Sequence, residues 1–142
     1  MYKGIKVAAE NGKTIHLQKF VSRLQSEFQV TAVKQNSLIV NAVPGEMQVN
    51  TDPALLACII KGLFNTMIGV CQNCCIQVSA KCFNNVVLLR ITNNNENTFQ
   101  NNLDIKEAQA VAESLGGCIT LNNQIKKGTA VIFSFINFPI AA

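Results

Sequence analysis

The sequence predicts an α/β two-layer sandwich: a mixed, mostly antiparallel sheet of about five strands with three helices on one face. Three observations carry that expectation. Apolar residues recur at three- and four-residue steps in separate stretches, the helical period, and β-type runs separate these stretches. Thr51-Asp52-Pro53 is the sharpest helix start in the chain, with a carboxylate able to cap and a proline suited to the first helical position. Two pairs of short apolar runs are joined by asparagine- and glycine-containing connections, the signature of hairpins.

Each element follows in order. Tyr2 to Ala8 alternates weakly, as a strand does, and Asn11-Gly12 is a turn signal. From His16 the residues Leu17, Phe20, Val21, Leu24, Phe28 and Ala32 form one helical face, with Asn36 as the stop. Leu38 to Val43 reads as a buried strand, Pro44-Gly45 as a turn and Met47 to Asn50 as a short extended piece. The helix opened by Asp52-Pro53 runs to about Val70 and carries Leu56, Ile59, Ile60, Leu63, Phe64 and Met67 inward. Lys61 and Asn65 are its conspicuous polar residues. Ile76 to Ala80 and Val86 to Ile91 pair across Phe83-Asn84-Asn85. An asparagine-rich loop leads to a helix from about Leu103, which buries Ile105, Ala108, Val111, Ala112 and Leu115 before Gly116-Gly117 stops it. Cys118 to Leu121 and Ala130 to Phe135 make the last hairpin, turning through Asn122 to Gly128.

At 142 residues, 49% hydrophobic and 14% charged, the chain is one domain with a substantial core, not a disordered or collagen-like segment. Its net charge of +4 is mild, and the 12 basic residues are scattered along the sequence. With no Trp and one Tyr, nothing resembles the basic, aromatic-interleaved face of a nucleic-acid binder. No apolar run reaches the roughly 18 residues of a membrane span. Met1 to Lys6 lacks the apolar stretch of a secretory signal, so the chain reads as cytoplasmic, or as the cytoplasmic part of something longer. Cys71, Cys74, Cys75 and Cys82 invite a zinc reading, but Cys118 alone does not supply a second pair. Small buried hydrophobes and loop thiols are the plainer account. His16 opens a helix without an acidic partner beside it and reads as an exposed residue rather than a phosphoacceptor.

Two stretches carry a family resemblance. Leu103 to Leu121 followed by Lys127 to Phe135 reads helix, glycine stop, strand, tight turn, strand. Upstream, Val49 to Leu56 reads as a short strand, an Asp-Pro start and leucine, and Gly62-Leu63-Phe64-Asn65-Thr66 follows on the same helix. On these residues the chain resembles the ATP-binding domain of sensor histidine kinases, the GHKL or Bergerat family, from the first helix to Phe138. The resemblance implies one histidine kinase-like ATPase domain over residues 1–142, without an upstream histidine-bearing dimerisation hairpin.

The resemblance also implies a site, and the sequence departs from it. Asn65 matches the asparagine whose carbonyl oxygen holds Mg²⁺ against the phosphates, and is expected to point toward the groove beside the asparagine-rich loop. One turn earlier the family carries another asparagine or an acid, and here Lys61 would repel Mg²⁺. The family's Asp-x-Gly-x-Gly falls on Asn93, Asn95 and Asn97. Asn93 would meet the adenine amino group without charge assistance. Asn95 and Asn97 replace glycines whose freedom lets the backbone approach nucleotide, and asparagine tolerates that backbone region better than most. The second glycine motif falls on Asn102-Leu103-Asp104, where Asp104 sets a carboxylate at the place of the triphosphate. The lid between them has shrunk to Thr98 to Asn101, with no Lys or Arg, and Phe99 and Leu103 are placed to fill the groove. Only Gly128-Thr129 keeps the family's last Gly-Thr box.

The implied function is a degenerate ATPase domain, a pseudokinase of a two-component phosphorelay, with no catalytic residue of its own. It would act through a kinase or response-regulator partner, with no cofactor, no nucleic acid and no membrane insertion. The alternative is a divergent but working catalytic domain of a sensor histidine kinase that binds ATP and Mg²⁺. A zinc-stabilised interaction module, resting on the cysteines alone, ranks last.

Overall fold

The computed structural model describes residues 12–70, 73–94, 106–124 and 128–137. The strand expected over Tyr2 to Ala8 lies outside them. Strand β1 (Lys13–His16) pairs antiparallel with β3 (Gln48–Thr51), a two-stranded ribbon in which Lys13 faces Thr51 and His16 faces Gln48. The sequence pattern marks Met47 to Asn50 as extended but gives β1 no strand. The single buried side chain of β1, Ile15, is too little for a periodic signal.

Helix α1 (Leu17–Ser26) buries Leu17, Phe20, Val21 and Leu24, and α2 (Gln29–Lys34) follows after a break at Glu27 and Phe28. The expected continuous helix is therefore two. Phe28 N–H donates to the Gln25 carbonyl three residues back, which tightens the chain and brings the Phe28 ring 5.6 Å from Phe64. Asn36 does end the segment, at φ +54, with Ser37 N–H donating back to the Ala32 carbonyl. Strand β2 (Leu38–Asn41) is shorter than expected because Asn41 turns its side chain back. Asn41 Nδ2 donates to the Gln18 carbonyl and its Oδ1 accepts from Val43 N–H.

Helix α3 (Pro53–Val70) starts where Asp52 and Pro53 place it. Asp52 Oδ1 accepts from Ala54 N–H at 2.9 Å and Leu55 N–H at 3.3 Å, satisfying donors that would otherwise lack partners. The hairpin β4 (Cys75–Phe83) and β5 (Val86–Asn93) closes on Asn84-Asn85, with Asn84 at φ +54. Helix α4 (Lys106–Ser114) precedes the hairpin β6 (Cys118–Gln124) and β7 (Gly128–Ile136), whose strands run longer than the sequence suggests.

The main sheet has five strands in the order β2-β4-β5-β7-β6, parallel only between β2 and β4. Alternation sends Ile76 and Val78, Leu89 and Ile91, and Val131, Phe133 and Phe135 to one face, where Leu56, Ile60, Leu63 and Met67 of α3 complete the core. Helix α3 packs against α1 on one flank and α4 on the other. The architecture is the expected α/β sandwich. Among the described residues, no helix is long and apolar enough to cross a membrane.

Candidate functional site

The site implied by the sequence centres on the end of β5 and the start of β7. Asn93 shares the helix-covered face with Leu89 and Ile91 and is only 2% exposed. Its Nδ2 donates to Met67 Sδ at 3.4 Å, a weak acceptor that is itself buried in α3. Gly128 lies against Asn93 at φ +86. A Cβ there would overlap the Asn93 carbonyl oxygen and stand 3.1 Å from its Oδ1. Glycine is required at that point by both backbone angle and space. Thr129, next along β7, is buried as well. The structure thus brings Asn93, Gly128, Thr129 and Met67 into one corner between sheet and α3. Beside it, Asn94 Oδ1 accepts from Cys75 N–H at 2.8 Å and ties β5 to the start of β4.

Asn65 is placed differently from the sequence expectation. It is exposed on α3 in line with Ala54, Cys58, Lys61 and Gly69. Met67, which touches Asn93, lies two residues on and so about 160° around the helix. Asn65 therefore points away from the Asn93 corner, because the helical phase is set by buried Leu63, Phe64 and Met67. That phase is legible in the sequence and moves attention to Gly62 and Thr66. These two are half-buried, four residues apart, on the flank of α3 opposite Lys61. Thr66 Oγ1 donates to the Gly62 carbonyl at 2.8 Å.

Lys61 is an exposed charge with a local partner. Its Nζ stands 3.3 Å from Glu27 Oε1, with the two side chains 45% and 51% exposed. The pair lies on the side of α3 that meets the α1–α2 break. Asn95, Asn97, Asn102 and Asp104, with Phe99 and Leu103, lie outside the described residues. His16 is exposed at the junction of β1 and α1 and gives its helix no side-chain cap. Cys74 is buried, Cys75 half-buried, and Cys58, Cys82 and Cys118 exposed, all as free thiols. Cys71 is not among the described residues. Among those that are, no three His, Cys, Asp or Glu side chains come together as a metal site.

Neither a family model nor a curated protein sequence matches the chain. Solved structures do. Histidine kinase AdeS of Acinetobacter baumannii aligns at TM-score 0.79 and 12% identity over 91% of this chain and 68% of that one. The nucleotide-free catalytic domain of histidine kinase ThkA aligns at TM-score 0.75 and 14% identity, covering 90% of this chain and 98% of that one. ThkA in complex with the response regulator TrrA aligns at TM-score 0.73 and 15% identity over 90% of this chain and 42% of that one. A mixed sheet with its helices packed on one face defines an α/β two-layer scaffold. More particularly, the chain has the GHKL-type fold of histidine kinase catalytic domains.

Proposed function

We propose that this domain is a degenerate histidine kinase ATPase domain of a two-component signalling protein, binding ATP and Mg²⁺ weakly or not at all and acting through protein partners in the cytoplasm. The observation that carries the reading is the state of Asn93. At the position of the family's adenine-binding aspartate stands a neutral amide, buried, with its donor directed at Met67. An aspartate there would accept from adenine with charge assistance, and Asn93 has neither the charge nor a free donor-acceptor set aimed at solvent. Lys61 pairs with Glu27 and Asn65 faces solvent, so neither supplies a cation ligand at the corner, which points the same way. Asn95, Asn97, Asn102 and Asp104 extend the pattern in sequence. The response regulator bound to ThkA suggests the partner class, a response regulator or a kinase of the same pathway.

The second reading, a divergent but working ATP- and Mg²⁺-binding kinase domain, is favoured by one feature. Gly128 and Thr129 keep the close backbone approach that the family's last box provides. Calorimetric titration with Mg-ATP separates the two. The degenerate domain shows no binding tighter than about millimolar, worth around 4 kcal/mol. Micromolar affinity would overturn it and make Asn93 and Thr129 the residues to mutate next.

A further inference from the structure

Three of the 12 basic residues that look scattered in sequence converge in space. A groove of about 320 Å³ opens where β1, α1 and the start of α3 meet, lined by Lys13, His16, Lys19 and Arg23 over Phe20 and Pro53. Lys13 comes from β1. His16, Lys19 and Arg23 recur at three- and four-residue steps and so share one face of α1. Among the described residues, three Lys or Arg and no Asp or Glu line the groove, a formal charge of +3 in one place. None of Lys13, Lys19 and Arg23 forms an ion pair among the described residues.

Of these cations, Lys19 is poorly placed for stability, whereas Arg23 sits in the last turn of α1, where a cation suits the helix. The first turn of α1 has no acidic residue and carries Lys19, and His16 supplies no side-chain cap. The positive end of a helix favours anions, so a lysine there is unfavourable for the helix itself. A local arrangement that works against the fold calls for a reason outside it. The floor of the groove supplies the second half of the chemistry. Arg23 lies 5.2 Å from the centre of the Phe20 ring, which is itself buried, and Pro53 and Ile15 add apolar surface.

We infer that this groove docks an acidic segment of a partner protein, one that presents carboxylates beside an apolar side chain. Charge complementarity argues for the carboxylates, and the apolar floor argues against a bare anion. Single-stranded nucleic acid needs aromatic faces open for base stacking, and the Phe20 ring is buried with Arg23 over it. The inference adds a surface to partner binding and does not depend on the nucleotide corner, so the two readings fail separately.

The test is fluorescence anisotropy on the full chain with two probes, a labelled peptide alternating Glu with Leu and Phe, and labelled oligo(dT). The peptide binds saturably and releases with rising salt, as screened charge pairs do. Combining Lys19→Glu with Arg23→Glu weakens it by about tenfold or more, and the melting temperature of Lys19→Glu alone holds or rises because an acid then sits in the first turn of α1. Lys81→Glu, on the sheet face away from the helices, leaves peptide binding within about twofold. A peptide with Gln for Glu does not bind. The inference is overturned by absent peptide binding, by equal binding to the double variant, or by tighter binding of oligo(dT), which would assign the groove to nucleic acid.

Discussion

Two regions of α3's surroundings differ in how firmly the fold dictates their residues. At the Asn93 corner every position is set by its neighbours: Gly128 by an adjacent carbonyl, Asn93 by burial against Met67, Thr129 by burial in β7. On the outer stripe of α3, Cys58, Lys61 and Asn65 face solvent, and nothing in the packing selects their type. Positions of the first kind are the ones on which this scaffold depends. Positions of the second kind are held by neither the packing nor the corner. A family fold is therefore weak evidence for a family activity.

The largest expected effect tests the corner. Gly128→Ala combines a positive φ with overlap on the Asn93 carbonyl, and we expect a loss of about 3 kcal/mol or more in a denaturant melt. Gly62→Ala is the matched control. A Cβ at Gly62 meets nothing within 4 Å, so alanine should stabilise α3 by about 0.5–1 kcal/mol. Similar losses for both glycines would erase the distinction between the regions.

Asn93→Asp places the aspartate of the resembled motif in a buried position. The carboxylate would be buried beside a thioether, and we expect about 2 kcal/mol of destabilisation at neutral pH without Mg-ATP binding. Burial raises the folded pKa of such a carboxyl above its unfolded value. The variant then approaches the parent's stability in acid, below the unfolded pKa, and falls behind as pH rises through the folded one. A stable Asn93→Asp variant that binds Mg-ATP at micromolar concentration would mean the corner opens.

Much of this contrast is legible in the residues. Asp52-Pro53 fixes the start of α3, Asn36 ends α2, and the β4–β5 hairpin and the Gly128-Thr129 corner follow from turn chemistry and alternation. Strand β1 escapes because one buried side chain makes no period, and the single expected helix becomes α1 and α2 because Phe28 turns in to meet Phe64. Asn65 stands out by residue type, whereas its direction is set by the phase of Leu63 and Met67. The basic groove is invisible in the sequence for a different reason: only the pairing of β1 with β3 carries Lys13 to α1 and Pro53.

The cap on α3 comes next in size. Asp52→Ala removes the acceptor for Ala54 and Leu55 N–H and should cost about 1 kcal/mol in thermal or denaturant melts. Asp52→Asn, which keeps an oxygen, should recover most of it. If Asn and Ala behaved alike, the cap would not be what holds the start of α3.

The smallest effect lies on the outer stripe. Lys61 and Glu27 are 3.3 Å apart with both side chains about half exposed, so screening and side-chain entropy offset most of their attraction. A double-mutant cycle with Lys61→Ala and Glu27→Ala should give a coupling below about 0.5 kcal/mol, shrinking further in high salt. Lys61→Glu sets two carboxylates side by side on this stripe. It should shift the melt by under about 1 kcal/mol, through repulsion with Glu27, and confer no ATP hydrolysis. Coupling well above about 1 kcal/mol would show that Lys61 is held by the fold, and the outer stripe would then belong with the corner rather than against it.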